Sequence, residues 1–238
     1  MIAVAVAPAR RVLVWRPEAW LYGLAAFAAF ALMLMAPDGI GHVHPQHRHA
    51  SPGATMPLGS WLVEWQHWGV MVLAMMLPVV APSARRVAMR SLWHRRHRAM
   101  ASFVLGYLAV WFAVGAVAVA LLGPSPAALP FVLLVAAVWQ VAPARRRVMR
   151  RCGVVAPCAL SDRSCAEAGL RTGARCAFTC GPVMAAMAVS HGLLLMSALF
   201  CVLLSERARG PNPARRAGRP LEAWCLAGFA AVAALAAL

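Results

Sequence analysis

Residues 99–122 read AMASFVLGYLAVWFAVGAVAVALL, 24 positions without one charged side chain. As a helix rising 1.5 Å per residue this stretch measures about 36 Å, enough to cross the hydrocarbon core of a bilayer. It decides the fold class because the rest of the chain repeats its pattern. Uncharged runs of about 17–25 residues, the length a spanning helix needs, alternate with short arginine-rich blocks. Hydrophobic residues make up 62% of the 238, against about 45–50% in soluble domains, and the mean hydropathy is +0.70. The sequence therefore predicts an all-α fold, a polytopic transmembrane helical bundle.

Working outward from 99–122, the reading gives about six spans, at 19–36, 61–80, 99–122, 127–141, 182–204 and 221–238. All belong to a single integral membrane domain covering 1–238. Pro37 stops the first span, and Pro78 and Pro82 close the second. Gly123-Pro-Ser-Pro126 is only long enough for a turn, so the fourth span returns antiparallel to the third. Five spans plus a re-entrant segment broken near Gly192 is the alternative arrangement. No internal repeat is visible in the sequence.

All 23 basic residues are arginine, and the isoelectric point is near 11.6. Because these arginines flank apolar runs, the positive-inside rule accounts for them and nucleic-acid binding is excluded. A cytoplasmic N-terminus places 17 of the 23 arginines inside, which predicts a multi-pass protein of a bacterial inner membrane. The misfit is 206–219, whose five arginines fall outside in a six-span topology. Arg10, Arg11 and Arg16 flank a first span that no small-x-small cleavage site follows, so it is expected to be retained.

Soft metal-ligating side chains are concentrated in two of the spans. Cys176, Cys180, Met184, Met187 and His191 fall within about 80° of one helical face. Thiol, thioether and imidazole groups are the donors that hold soft transition metals. Proline is tolerated in the first turn of a helix, so Pro182 predicts a helix that starts near Thr179. Cys180 would then lie in its first turn, with Cys176 just before it at the cytoplasmic mouth. In the second span Glu64, His67, Met71 and Met75 share a similar arc. Trp61, Trp65 and Trp68 beside them suggest an interfacial aromatic belt. Between 101 and 142 there is no Met, His or Cys.

Seven cysteines, five of them between Cys152 and Cys180, argue for reduced cytoplasmic thiols rather than a secreted disulfide scaffold. Cys152, Cys158 and Cys165 are spaced unlike a zinc ribbon or finger. His42, His44, His47 and His49 form a tract in the loop assigned outside, suited to collecting borderline metals. Only seven acidic residues are present, without paired carboxylates, a Walker loop, G-x-S-x-G or G-x-G-x-x-G, and no enzymatic activity is expected.

Two motifs carry a family resemblance. Trp68-Gly-Val-Met71-Val-Leu-Ala74-Met75-Met76-Leu-Pro78, followed by Pro82, resembles a W-x-x-M-x-x-A-M-M-x-P signature. Gly169-Leu-Arg-Thr-Gly173-Ala-Arg-Cys176, then Cys180 and Met184, resembles G-x-x-x-G-x-x-C-x-G-C-C-W-x-L-M. In the second, Phe178, Thr179 and Gly181 replace the family's Gly, first paired Cys and Trp. Both signatures belong to the bacterial domain of unknown function 2182, described as predicted metal-binding integral membrane proteins. The resemblance covers roughly residues 61–204.

Together these features point to a membrane protein that binds a soft transition metal, with copper(I) the leading candidate, between the second and fifth spans. His67, Met71 and Met75 would face Met184, Met187 and His191, with Cys176 and Cys180 at the mouth. The partners implied are the lipid bilayer and a metalloprotein or metallochaperone. Two other readings stay open: a metal-free membrane scaffold or assembly factor, and a thiol–disulfide membrane oxidoreductase using Cys176 and Cys180.

Overall fold

The computed structural model describes residues 16–35, 58–122, 128–152, 161–190, 192–208 and 221–235. Among these residues the regular structure is entirely helical. The α-helices are α1 (Ala19–Met35), α2 (Leu58–Arg90), α3 (Arg96–Leu122), α4 (Leu129–Val141), α5 (Pro143–Cys152), α6 (Asp162–Val189), α7 (Leu193–Ala208) and α8 (Leu221–Leu235), and a 3-10 turn (Trp93–Arg95) leads into α3. By length and composition α2 and α3 are each able to cross a membrane, and α4 with α5, bent by 65°, makes a third candidate if the pair is one broken span. α1, α7 and α8 are shorter apolar helices.

Helix α3 is the organising element, packed against α2 on one side and α6 on the other. Its contact with α6 is the most extensive in the fold, and glycine makes it possible. A Cβ on Gly169 would land on the carbonyl of Phe103, and one on Gly106 would land on the carbonyl of Ala166. At Gly173 the same atom would come within 2.9 Å of the Tyr107 carbonyl. Small residues let two helix backbones approach closely, which gives the Gly169-x-x-x-Gly173 signature its structural purpose. Contacts rise in step along both helices, from Asp162 with Arg95 and Arg98 to Gly173 with Tyr107, so α3 and α6 run parallel.

The proline expectations are corrected. Pro78 and Pro82 do not close the second span; α2 continues through both to Arg90. Leu77, Val79, Val80, Ala81, Ser83 and Ala84 around them are buried, and that packing outweighs a local cost of about 3 kcal/mol. Nor does a helix start near Thr179. α6 starts at Asp162, capped by the Ser161 hydroxyl accepting from Ser164 N, and passes through Pro182 to Val189. Pro182 has no N–H for the carbonyl of Phe178, and Trp139 Nε1 of α4 donates to that oxygen at 2.9 Å instead. Arg145 Nε donates to the next carbonyl, Thr179 O, also at 2.9 Å. A neighbouring helix thus supplies the hydrogen bond that the proline removes.

The continuous span expected at 182–204 is likewise absent. α6 ends at Val189, Ser190 is extended with φ −142° and ψ 120°, and a separate helix, α7, starts at Leu193. The break falls where the sequence offered Gly192 as the alternative. At the far end of α7, Glu206 Oε2 accepts from Arg145 Nη2 at 2.6 Å. Because Arg145 also holds Thr179 O, α7 turns back toward the middle of α6 rather than running on from it. The segment read as a cytoplasmic connector, 143–175, holds α5 and the first half of α6.

Candidate metal centre

Uninterrupted, α6 carries Cys176, Cys180, Met184 and Met187 on one rigid face. All four are at least 95% buried, with Met184 and Met187 fully enclosed. Steps of three or four residues put neighbouring side chains about 5–6 Å apart. From Cys176 to Met187, eleven residue steps, the row is about 16 Å long at 1.5 Å per residue. The split that Pro182 suggested does not occur, and Cys176 belongs to the same helix as the other three. Cys165, a further three turns toward the N-terminus, is also buried. Cys165, Cys176 and Cys180 are not joined in disulfides.

Cys176 is not at a mouth. Its Sγ accepts a hydrogen bond at 3.2 Å from the hydroxyl of Tyr107, which lies in the middle of α3. Tyr107 is about 16 Å along α3 from Arg96, counting 1.5 Å per residue. Thr179, read as a helix cap, instead turns its hydroxyl back onto Arg175 O and Cys176 O and lies 3.6 Å from Cys180 Sγ. These bonds pin the helical turn between the two thiols.

The second row lies on α2. Met71 and Met75 are buried, and Glu64 is at the edge of burial; His67 is partly exposed, with its Nε2 shielded from solvent. The register of the row is set by tryptophan. Trp68 Nε1 donates to Trp111 O at 3.0 Å, and Trp65 Nε1 donates to Phe112 O at 3.3 Å. Trp68 is only 2% exposed, so this residue of the expected interfacial belt is an anchor of α2 on α3. Met75 lies within about 20° of Trp68 around the helix, at 100° per residue, and is carried to the same side.

The six described candidates apart from His67 belong to one hydrophobic core. The two helices that carry the rows share α3 as a neighbour and have no extended backbone contact with each other. His191 and the tract His42, His44, His47 and His49 lie outside the described residues, as does Cys158. Among the described residues no three His, Cys, Asp or Glu side chains converge on a point. Any metal held here would therefore lean on thioethers as well as the two thiols. That donor set fits a monovalent copper ion and suits hard cations poorly.

The family model for PpoB2, described as a copper chaperone, matches residues 65–235. This chain belongs to the PpoB2 copper chaperone family. The match takes in α3 to α8 and most of α2, including both rows of soft donors. The family's name differs from the one the two sequence motifs suggest; metal association is common to both. No curated protein and no solved structure matches the chain.

Two residues of this neighbourhood escape a reading by ligand type. Tyr107 is one of only two tyrosines in the chain, and a phenol inside an uncharged span was the available signal. Arg145 is indistinguishable in sequence from Arg146 and Arg147, and only its 3% side-chain exposure and its partners set it apart.

Proposed function

We propose that this protein is a membrane-embedded copper(I) carrier that passes the ion to a metalloprotein or metallochaperone. The observation that supports this most is the single buried row Cys176, Cys180, Met184 and Met187 on unbroken α6. Copper(I) is content with few soft ligands, and rungs about 5–6 Å apart let an incoming donor bind before the outgoing one lets go. Such exchange needs no nucleotide or ion gradient. His67, Met71 and Met75 on α2 would offer a second set of donors, and His191 a further one at the end of the row. The His42–His49 tract would gather metal before it enters.

Mass spectrometry of the metal retained by the purified full-length protein tests the proposal. Wild type is expected to hold copper near one ion per chain and the Cys176→Ser/Cys180→Ser variant to lose it. Equal, negligible copper in both would overturn the reading. The scaffold alternative makes a different prediction, since Met71→Leu with Met75→Leu conserves volume and costs less than about 1.5 kcal/mol. A carrier loses copper affinity in that variant while its stability stays near wild type.

The same reading includes a topology with the N-terminus cytoplasmic, in a bacterial inner membrane. Several contacts support it. Glu18 before α1 pairs with Arg85 near the end of α2 at 3.3 Å, and Asp162 at the start of α6 pairs with Arg95 and Arg98 around the start of α3. These ends share one face. The reversal between Val189 and Leu193 turns α7 back along α6 as far as the level of Thr179, so the chain after α7 would continue toward that face. On that path the five arginines of 206–219 would fall inside, which would remove the misfit of the six-span topology. Single cysteines introduced at Ala214 and Ala217 should be labelled by an impermeant maleimide only in inverted vesicles; labelling in intact cells would sink this topology.

A further inference from the structure

We propose that Tyr107 is a positioning residue for copper(I) at Cys176; the proposal rests on the copper reading above. Its hydroxyl donates to Cys176 Sγ at 3.2 Å, and each of the two residues is 1% exposed. A hydroxyl in so apolar a setting is costly unless bonded, and phenylalanine would fill the same space without that demand. The sequence thus places an oxygen where packing alone does not call for one.

The bond is held from both sides. On α6, Gly173 lies against the backbone of Tyr107, and Gly169 against that of Phe103, so the helices cannot separate or slide without losing contact along the whole interface. On α3, the residue one turn beyond Tyr107 is Trp111, whose carbonyl accepts from Trp68 of α2. Tyr107 therefore belongs to the stretch of α3 that locks both soft-donor helices in register. With one lone pair of Sγ engaged by the hydroxyl, the remaining sulfur electron density has a fixed direction for the ion. Ligand sulfur and nitrogen atoms in metal sites are generally oriented by such outer partners, and removing one typically costs about 10–100-fold in metal affinity.

Tyr107→Phe in the full chain, purified in detergent, removes the oxygen alone. Copper(I) affinity, read by competition with a chromophoric copper(I) chelator, is expected to fall about 10–100-fold, while the metal-free protein melts within a few degrees of wild type. The same change in a Cys176→Ser background should cost nothing further, because the hydroxyl then has no ligand sulfur to orient. Wild-type affinity in Tyr107→Phe would overturn the proposal. So would an equal loss in both backgrounds, or a metal-free variant that no longer folds, since either makes Tyr107 a packing residue. Absence of copper from wild type would instead overturn the parent reading.

Discussion

The two halves of α6 are held in place by different physics. Before Pro182 the helix is pressed onto α3 by shape, with Gly169 and Gly173 letting backbone meet backbone. Over the next turn and a half, just ahead of the proline, it is tied by polar side chains, with Trp139 on Phe178 O, Arg145 on Thr179 O and Glu206 joining α7 to the same arginine. Contact by shape is lost only when the helices separate as a whole. A few directional bonds can be undone one at a time. The soft-donor row straddles this change, with Cys176 beside the glycine contacts and Cys180, Met184 and Met187 beyond the polar ties.

The comparison is broken most severely at Arg145. Arg145→Met leaves the partly buried Glu206 without its cation and removes a donor from Thr179 O, at an expected cost of about 3 kcal/mol. Thermal unfolding in detergent would measure it, and proteolysis should show α7 released before the α3–α6 pair. Next comes Gly169→Ala, whose methyl meets the Phe103 carbonyl and is expected to cost about 1–3 kcal/mol. Gly181→Ala sharpens the contrast on the same helix. Nothing lies within 4 Å of that position, so the substitution should stabilise by up to about 1 kcal/mol. Trp139→Phe withdraws the donor from Phe178 O and should cost about 1–3 kcal/mol, with an increased bend at Pro182 visible by spin-label distances.

The smallest effect concerns pH. The Arg95 hydrogen bond, with the nearby charge of Arg98 adding to it, holds the Asp162 carboxyl below its ordinary value of 3.8. A carboxylate depressed on folding contributes stability above its ordinary pKa and loses it as pH falls through the depressed value. Acid below about pH 4 should therefore loosen the start of α6 from the α3 end, and Asp162→Asn should remove that part of the acid sensitivity. Amide hydrogen exchange at residues 162–166 as a function of pH is the measurement; an unchanged profile in Asp162→Asn would refute it.

How much of this was legible in the sequence depends on the range of the interaction. The helical class, the apolar lengths and the arc shared by Cys176, Cys180, Met184 and Met187 follow from composition and a 100° turn per residue. Local rules failed at proline. Read alone, Pro182 marks a helix start and Pro78 with Pro82 a helix end, because each removes a hydrogen bond that the chain cannot replace from nearby residues. The replacement for Pro182 comes from Trp139, 43 positions earlier, and α2 is kept continuous by packing against α1 and α3. Tyr107 was hidden for the same reason, since its partner is 69 residues away.

What the sequence determined by itself was which side chains can meet a soft metal and that they belong in an apolar, helical setting. Those properties are set by residue type and by the fixed geometry of one helix. Tertiary structure alone decided that the donor row on α6 is continuous, that a tyrosine hydroxyl rests on its first sulfur, and that the chain reverses after Val189. Each of these depends on a hydrogen bond or a close backbone approach between segments far apart in the chain, and no local pattern encodes where such segments come together.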